Sequence, residues 1–121
     1  MDTRPVQSRE LTENSDIKNG KGPIESLFVN SETPRPKPTD TQALVKVKAF
    51  GLNRMDLLQR EGKYPVPPQA PKTLGVEFSG VIEELAGQSE KGFKKGDAVF
   101  GLAYGGGYAE CECGRYGLAE W

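Results

Sequence analysis

The amino-acid sequence predicts a small, mostly β fold of barrel or sandwich type that carries one short helix. Three observations predict it. Apolar residues alternate with charged ones in short runs such as ALVKVKA, a single segment has helix signals at both ends, and fifteen glycines and nine prolines punctuate the 121 residues. The length suits about one domain. Leu, Ile, Val and Phe make up about a fifth of the chain, close to the level below which chains stay unfolded, so part of it is not expected to fold alone.

Residues 1–23 hold few large apolar side chains and no usable period, and Asn19-Gly20 and Gly22-Pro23 break any element there, so this stretch reads as a tail leading into a turn. Residues 24–32 (IESLFVNSE) read as a strand with Leu27 and Val29 on one face, stopped by Pro34, Pro36 and Pro38, which remove ladder donors. The clearest strand is QALVKVKAF, with Val45, Val47 and Ala49 on one face and Lys46 and Lys48 on the other. Gly51 ends it. NRMDLLQREG reads as a short helix: Asn53 is a good N-cap, Asp56 completes an N-x-x-D box, Gly62 ends it, and Met55, Leu58 and Gln59 share one side. Four prolines in YPVPPQAP then impose a stiff, non-helical loop. VEFSGVIEEL supplies a strand with Val76, Phe78 and Ile82 on one face, and Gly80 marks a bulge or a close approach of backbone. In FKKGDAVFGLA, Lys95-Gly96-Asp97 turns the chain into a strand whose Val99 points inward. Gly105 to Gly107 make a corner, residues 108–113 a last short strand, and RYGLAEW nothing that would pair with it.

Sixteen basic and seventeen acidic residues leave a net charge of −1, which gives no footprint for nucleic acid or an anionic membrane. Histidine is absent, and with it the Ser-His-Asp, Cys-His and HExxH chemistries. Cys111 and Cys113 form a C-x-C pair with no further sulfur or imidazole to complete a zinc site, and they read as reduced thiols of a cytoplasmic protein. No apolar run approaches the ~18 residues of a membrane-spanning helix, and the acidic N-terminus lacks the features of a secretory or mitochondrial leader.

A dinucleotide fingerprint would need G-x-G-x-x-G between a strand and a helix, which Gly105–Gly107 does not supply, so a tight corner is the favoured reading. Glu83-Glu84 and Lys94-Lys95 read as solvated surface. Asn53 and Tyr64 stand out, one at a helix start after a glycine and the other at the mouth of the proline loop. Capping accounts for the first and packing against proline for the second, and ligand contact is the other reading of each.

VKVKAFGLNRMDLLQREGKYPVPP, then LGVEFSGVIEE, GFKKGDAVFG and GGGYAE, resemble in order the N-terminal domain of the medium-chain dehydrogenase/reductase superfamily, and within it the zinc-independent quinone oxidoreductase branch of zeta-crystallin type. The resemblance runs over residues 17–110 and implies a GroES-like, partly open β-barrel as catalytic domain, preceded by a disordered tail over 1–16. In the family a Rossmann domain carrying NADPH follows. Zinc-dependent relatives have a cysteine ligand at the place of Asn53 and a histidine ligand at the place of Val76, so no metal is expected here. Glu77 alone survives of that pattern. The resemblance implies that a hydride passes directly from NADPH to a quinone or similar conjugated acceptor, with Asn53 beside the nicotinamide or the acceptor oxygen. Tyr64 and Tyr104 would wall the acceptor pocket, with Phe50 and Gly107 near the same cleft. No side chain is assigned a catalytic step.

Two departures from the family pattern shape the expectation. The usual apolar first strand is replaced by SRELTENSDI, and residues 111–121 (CECGRYGLAEW) diverge and end before a Rossmann domain. The chain is therefore read as a truncated product, inactive by itself because the hydride donor has no site. The alternatives are a non-catalytic GroES-like module, which uses an unpaired sheet edge to associate with a full-length relative or as a homodimer, and an enoyl reductase of the same superfamily.

Overall fold

Period-2 patterning decides the centre of the molecule. In the computed structural model, which describes residues 11–17, 21–39, 42–65, 71, 73–87, 91–114 and 119–120, the strongest alternations become adjacent antiparallel strands, β3 (Ala43–Phe50) and β4 (Glu77–Leu85). On β4 burial alternates as the sequence predicts, with Phe78, Gly80 and Ile82 facing the core. On β3, Ala43, Leu44 and Val45 are all buried in succession, because the ladder shifts register between Leu44 and Val45 and so interrupts the alternation. Lys46 and Lys48 lie on the wet side, as expected.

β5 (Ala98–Leu102) pairs with the free edge of β4 and buries Val99, as read from the sequence. β6 (Cys111–Gly114) pairs with β3, and the short β7 (Ala119–Glu120) pairs with β5. The result is an open antiparallel sheet in the order β6-β3-β4-β5-β7. Ala43, Val45, Phe78, Ile82 and Val99 form its core, with Val47, Leu85, Phe93 and Ala103 packed against them. The helix α1 (Arg54–Arg60) fills the connection between β3 and β4, starting at Asn53 and followed by Gly62 in the left-handed region at φ 78°. No helix among the described residues is long and apolar enough to cross a membrane.

Four expectations change. Residues 11–16 were expected within a disordered tail, yet Leu11–Ile17 is strand β1, paired antiparallel with β2 (Leu27–Pro34) in a separate two-stranded sheet. Polar bonds hold it where apolar periodicity is lacking: Asp16 accepts from Asn30 Nδ2 at 3.0 Å and from Thr73 Oγ1 at 2.5 Å. Residues 1–10 and the proline loop at 66–70 lie outside the described residues. The expected strand over 24–32 begins as a 3₁₀ turn at Ile24–Ser26 and extends instead to Pro34, with Val29 left exposed. The C-terminal segment was expected to pair with nothing, but β5 offers an open ladder at Val99 and Phe100 and Ala119–Glu120 takes it. Glu83, read as solvated, accepts a 2.5 Å ion-pair bond from Arg35 on the half-exposed surface.

Gly80 is the tightest point of the sheet. It stands opposite Val47, and a Cβ there would overlap the Lys46 carbonyl, a backbone atom that cannot move aside alone. Gly80→Ala is therefore expected to destabilise the fold by more than Ile82→Val, itself about 0.5–1.5 kcal/mol, in urea unfolding followed by circular dichroism. An equal or smaller loss would show that the sheet relaxes around the methyl group.

Candidate functional site

The chain leaves β3 through Gly51 and Leu52 and reaches Asn53 in extended backbone, φ −131° and ψ 151°. That conformation starts the helix. The Asn53 carbonyl accepts the Asp56 N–H at 3.0 Å, and the Asp56 carboxylate accepts the Asn53 N–H at 2.9 Å, which fixes the Asn53 main chain to the first turn. Besides its place in the capping box, the Asn53 side chain reaches β4: Nδ2 donates to Glu77 Oε1 at 2.8 Å, at the start of that strand.

Asp56 is only 2% exposed. A buried carboxylate is costly unless donors compensate it. The Tyr108 hydroxyl donates to Asp56 Oδ2 at 2.5 Å, on the same oxygen that takes the Asn53 N–H, while Oδ1 has no hydrogen-bond partner among the described residues. Tyr108 also lies against Phe50, the last residue of β3, with ring centroids 4.6 Å apart and planes tilted by 37°. Its phenol is pushed well above the ordinary tyrosine range, first by burial, then by the bond to Asp56 and by the charge of that carboxylate.

The glycine corner brings Tyr108 to this place. Gly106, Gly107 and Tyr108 donate their N–H groups to the carbonyls of Thr73, Gly75 and Leu74 at 2.8, 3.0 and 2.9 Å. Gly75 has φ +99°, and a Cβ on it would strike the Tyr108 ring and main chain. The corner therefore holds two chain segments in contact rather than cradling a phosphate.

Beyond the Asn53–Glu77 bond, an open groove of about 530 Å³ runs over one end of the sheet, lined by residues of β3, β4 and β5 that include Phe50, Glu77, Phe78, Phe100 and Leu102, and Asn53 reaches it through Glu77. Its walls are apolar apart from the Glu77 carboxylate and Ser79. Cys111 lies buried elsewhere, on β6, its thiol pushed up by burial. Among the described residues no group of three or more His, Cys, Asp and Glu side chains could hold a metal ion.

Of the residues singled out in the sequence, Asn53 is gripped by two carboxylates and Phe50 forms part of both the cavity and the Tyr108 contact. Gly107 is buried in the corner. Tyr64 and Tyr104 are 39% and 60% exposed and make no hydrogen bond or ring contact among the described residues, so the structure does not join them to Asn53. Sequence reasoning missed Tyr108 and the burial of Asp56. The signal for the first was its place directly after the glycine corner in GGGYAE, and for the second its acidic side chain among the apolar positions of a short helix.

Residues 39–120 match the family model of the alcohol dehydrogenase GroES-like domain. The chain belongs to that family. Within it the chain is similar to the quinone oxidoreductase of Pongo abelii, 44% identical over 90 residues that make up 74% of this chain and 27% of that protein. The GroES-like fold is shared with the crystal structure of human synaptic vesicle membrane protein VAT-1 homolog-like protein, at TM-score 0.81 and 29% identity over 91% of this chain and 35% of that one. It is shared also with Escherichia coli quinone oxidoreductase complexed with NADPH, at TM-score 0.74 and 29% identity over 90% of this chain and 32% of that one. This GroES-like chain thus spans about a quarter of the length of the quinone oxidoreductases that it matches. Together these likenesses bear out the quinone-oxidoreductase side of the medium-chain dehydrogenase/reductase superfamily.

The raised Tyr108 value has a definite sign. The fold favours the neutral phenol, so this stabilisation is complete below the ordinary tyrosine value of 10.0 and is lost as pH rises through and above it. Tyr108→Phe is expected to cost about 1.5–3 kcal/mol at neutral pH, the worth of a hydrogen bond to a charged group, and to flatten the fall in stability above pH 10. Denaturation series at neutral and alkaline pH check both. Parallel alkaline losses in the variant and the original chain would remove Tyr108 as their source.

Proposed function

We propose that this chain supplies the substrate-facing domain, over residues 17–110, of an NADPH-dependent quinone oxidoreductase that works without zinc. The observation that carries the reading is Asn53: a neutral amide, clamped at its main chain and side chain, is bonded to Glu77, and that carboxylate lines an open apolar groove. The family assignment and the likeness to a quinone oxidoreductase complexed with NADPH support it.

The residues present fit one end of NADPH only. Asn53 offers an amide that would hold the nicotinamide edge or the acceptor oxygen, whereas Gly105–Gly107 leads into β6 and not into a helix that could receive a pyrophosphate. When bound, the cofactor supplies the hydride, which with one proton reduces a quinone to its hydroquinone. The chain's share is orientation and exclusion of water: Asn53 aligns the reacting group and Phe50 and Phe100 offer apolar walls, while Tyr64 and Tyr104, outside the groove's lining, would reach the acceptor only from the exposed surface. Asn53, Val76 and Glu77 together offer an amide, an aliphatic group and one carboxylate already bonded to that amide, a donor set foreign to tetrahedral zinc.

The 121-residue chain alone is expected to show no NADPH-dependent reduction of 1,4-benzoquinone, and a longer protein that carries it with a nucleotide-binding domain is expected to turn over. In that protein Asn53→Ala should lower kcat/KM about tenfold, the worth of one polar contact to the reacting groups. Turnover by the chain alone would defeat its inactivity, and an unchanged kcat/KM would defeat the role given to Asn53.

A further inference from the structure

We propose that Glu77 is a positioning residue, whose carboxylate fixes which end of the Asn53 amide meets the ligand, and that Gly51 stays bare to admit it. The inference rests on Asn53 facing the ligand, as proposed above. An asparagine amide has a donor end and an acceptor end of nearly equal size, and half a turn exchanges them. An ionised carboxylate only accepts, so the end that meets Glu77 Oε1 at 2.8 Å is the NH₂. Asp56 already holds the Asn53 main chain through the N–H bond of 2.9 Å. The capping box places the Asn53 side chain against the first turn, and Glu77 holds its NH₂ end.

Gly51 is an independent observation of the same arrangement. Its φ lies outside the left-handed region, so the backbone does not require glycine there. Space does. A Cβ at position 51 would fall inside the Glu77 carboxyl group, and the Gly51 N–H donates to the Glu77 carbonyl at 3.3 Å, which holds the two segments together at this point. Because the obstructed atoms are the far end of a flexible side chain, a methyl group on residue 51 would push the carboxylate off Asn53 rather than break the sheet. Glu77 also lines the apolar cavity, so one side chain fixes the amide and supplies the charged spot on the cavity wall. With the NH₂ end turned to Glu77, the two ends of the amide cannot trade places, which sets the polarity of the group the ligand must present.

The test is side-chain NMR of the ¹⁵N-labelled full chain, with the Asn53 NH₂ signals assigned by their loss in Asn53→Asp. Glu77→Leu and Gly51→Ala are each expected to speed exchange of those protons with water about tenfold, while Glu77→Gln, whose oxygen still accepts, stays within about threefold of the original. A merely structural role would not separate Gln from Leu at this one amide while the backbone fingerprint stays native. Unchanged Asn53 exchange in Gly51→Ala or Glu77→Leu, or equal loss in Glu77→Gln and Glu77→Leu, would overturn the proposal. Should Glu77→Leu fail to fold, Gly51→Ala and Glu77→Gln decide it. No ligand enters this measurement, so its failure is distinct from a failure of the functional reading, which the kinetics of Asn53→Ala address.

Discussion

The buried carboxylate of Asp56 is the interaction on which the rest of the site depends. It lies on a short helix of seven residues, too few to be stable by propensity alone. One of its oxygens takes both the Asn53 main chain and the Tyr108 hydroxyl, from positions 3 and 52 residues away. Removing either donor leaves the buried carboxylate with one partner in place of two, so the helix start, the glycine corner and the end of β3 are coupled through it. The stacking of Phe50 on Tyr108 extends the same coupling to the cavity wall.

A division of labour follows between the two carboxylates that hold Asn53. Asp56 is inside and binds main chain, where a short, fixed side chain is enough. Glu77 is longer and half-buried, and binds a side chain across 24 residues of sequence. A single residue held at both main chain and side chain loses most of its conformational freedom before any ligand arrives, which is the condition under which one polar contact discriminates well.

Much of this was legible in the sequence. The alternation in ALVKVKAF and VEFSGVIEEL identified the central strands, Val99 pointed inward as read, and Asn53, Asp56 and Gly62 marked the helix ends. The four ordered blocks carried the family, and the GroES-like model matches residues 39–120. Elements held by polar bonds or by a neighbour's open edge were not legible. β1 has no apolar period and is tied down through Asp16 to Asn30 and Thr73, and β7 exists because β5 has a free ladder. The site was legible at Asn53 as a position but not as a geometry, since no local pattern says that a cap side chain will turn toward Glu77 or that Tyr108 will reach the same helix. Tyr64 and Tyr104, singled out with Asn53, stay on the surface, apart from the contacts that organise it.

The positions of small residues explain why such long-range contacts form at all. β3 and β4 approach closely where Gly80 leaves room for the Lys46 carbonyl, the 73–76 segment meets the corner at 105–108 because Gly75 makes way for Tyr108, and Gly51 clears the space that Glu77 fills. Each gap admits one specific group: a carbonyl, a phenol ring, a carboxylate. Two of the three groups admitted are the partners of Asp56 and Asn53. The glycines that look like mere punctuation in the sequence therefore act as its site-building residues, since they let polar side chains meet across the fold where a methyl group would hold them apart.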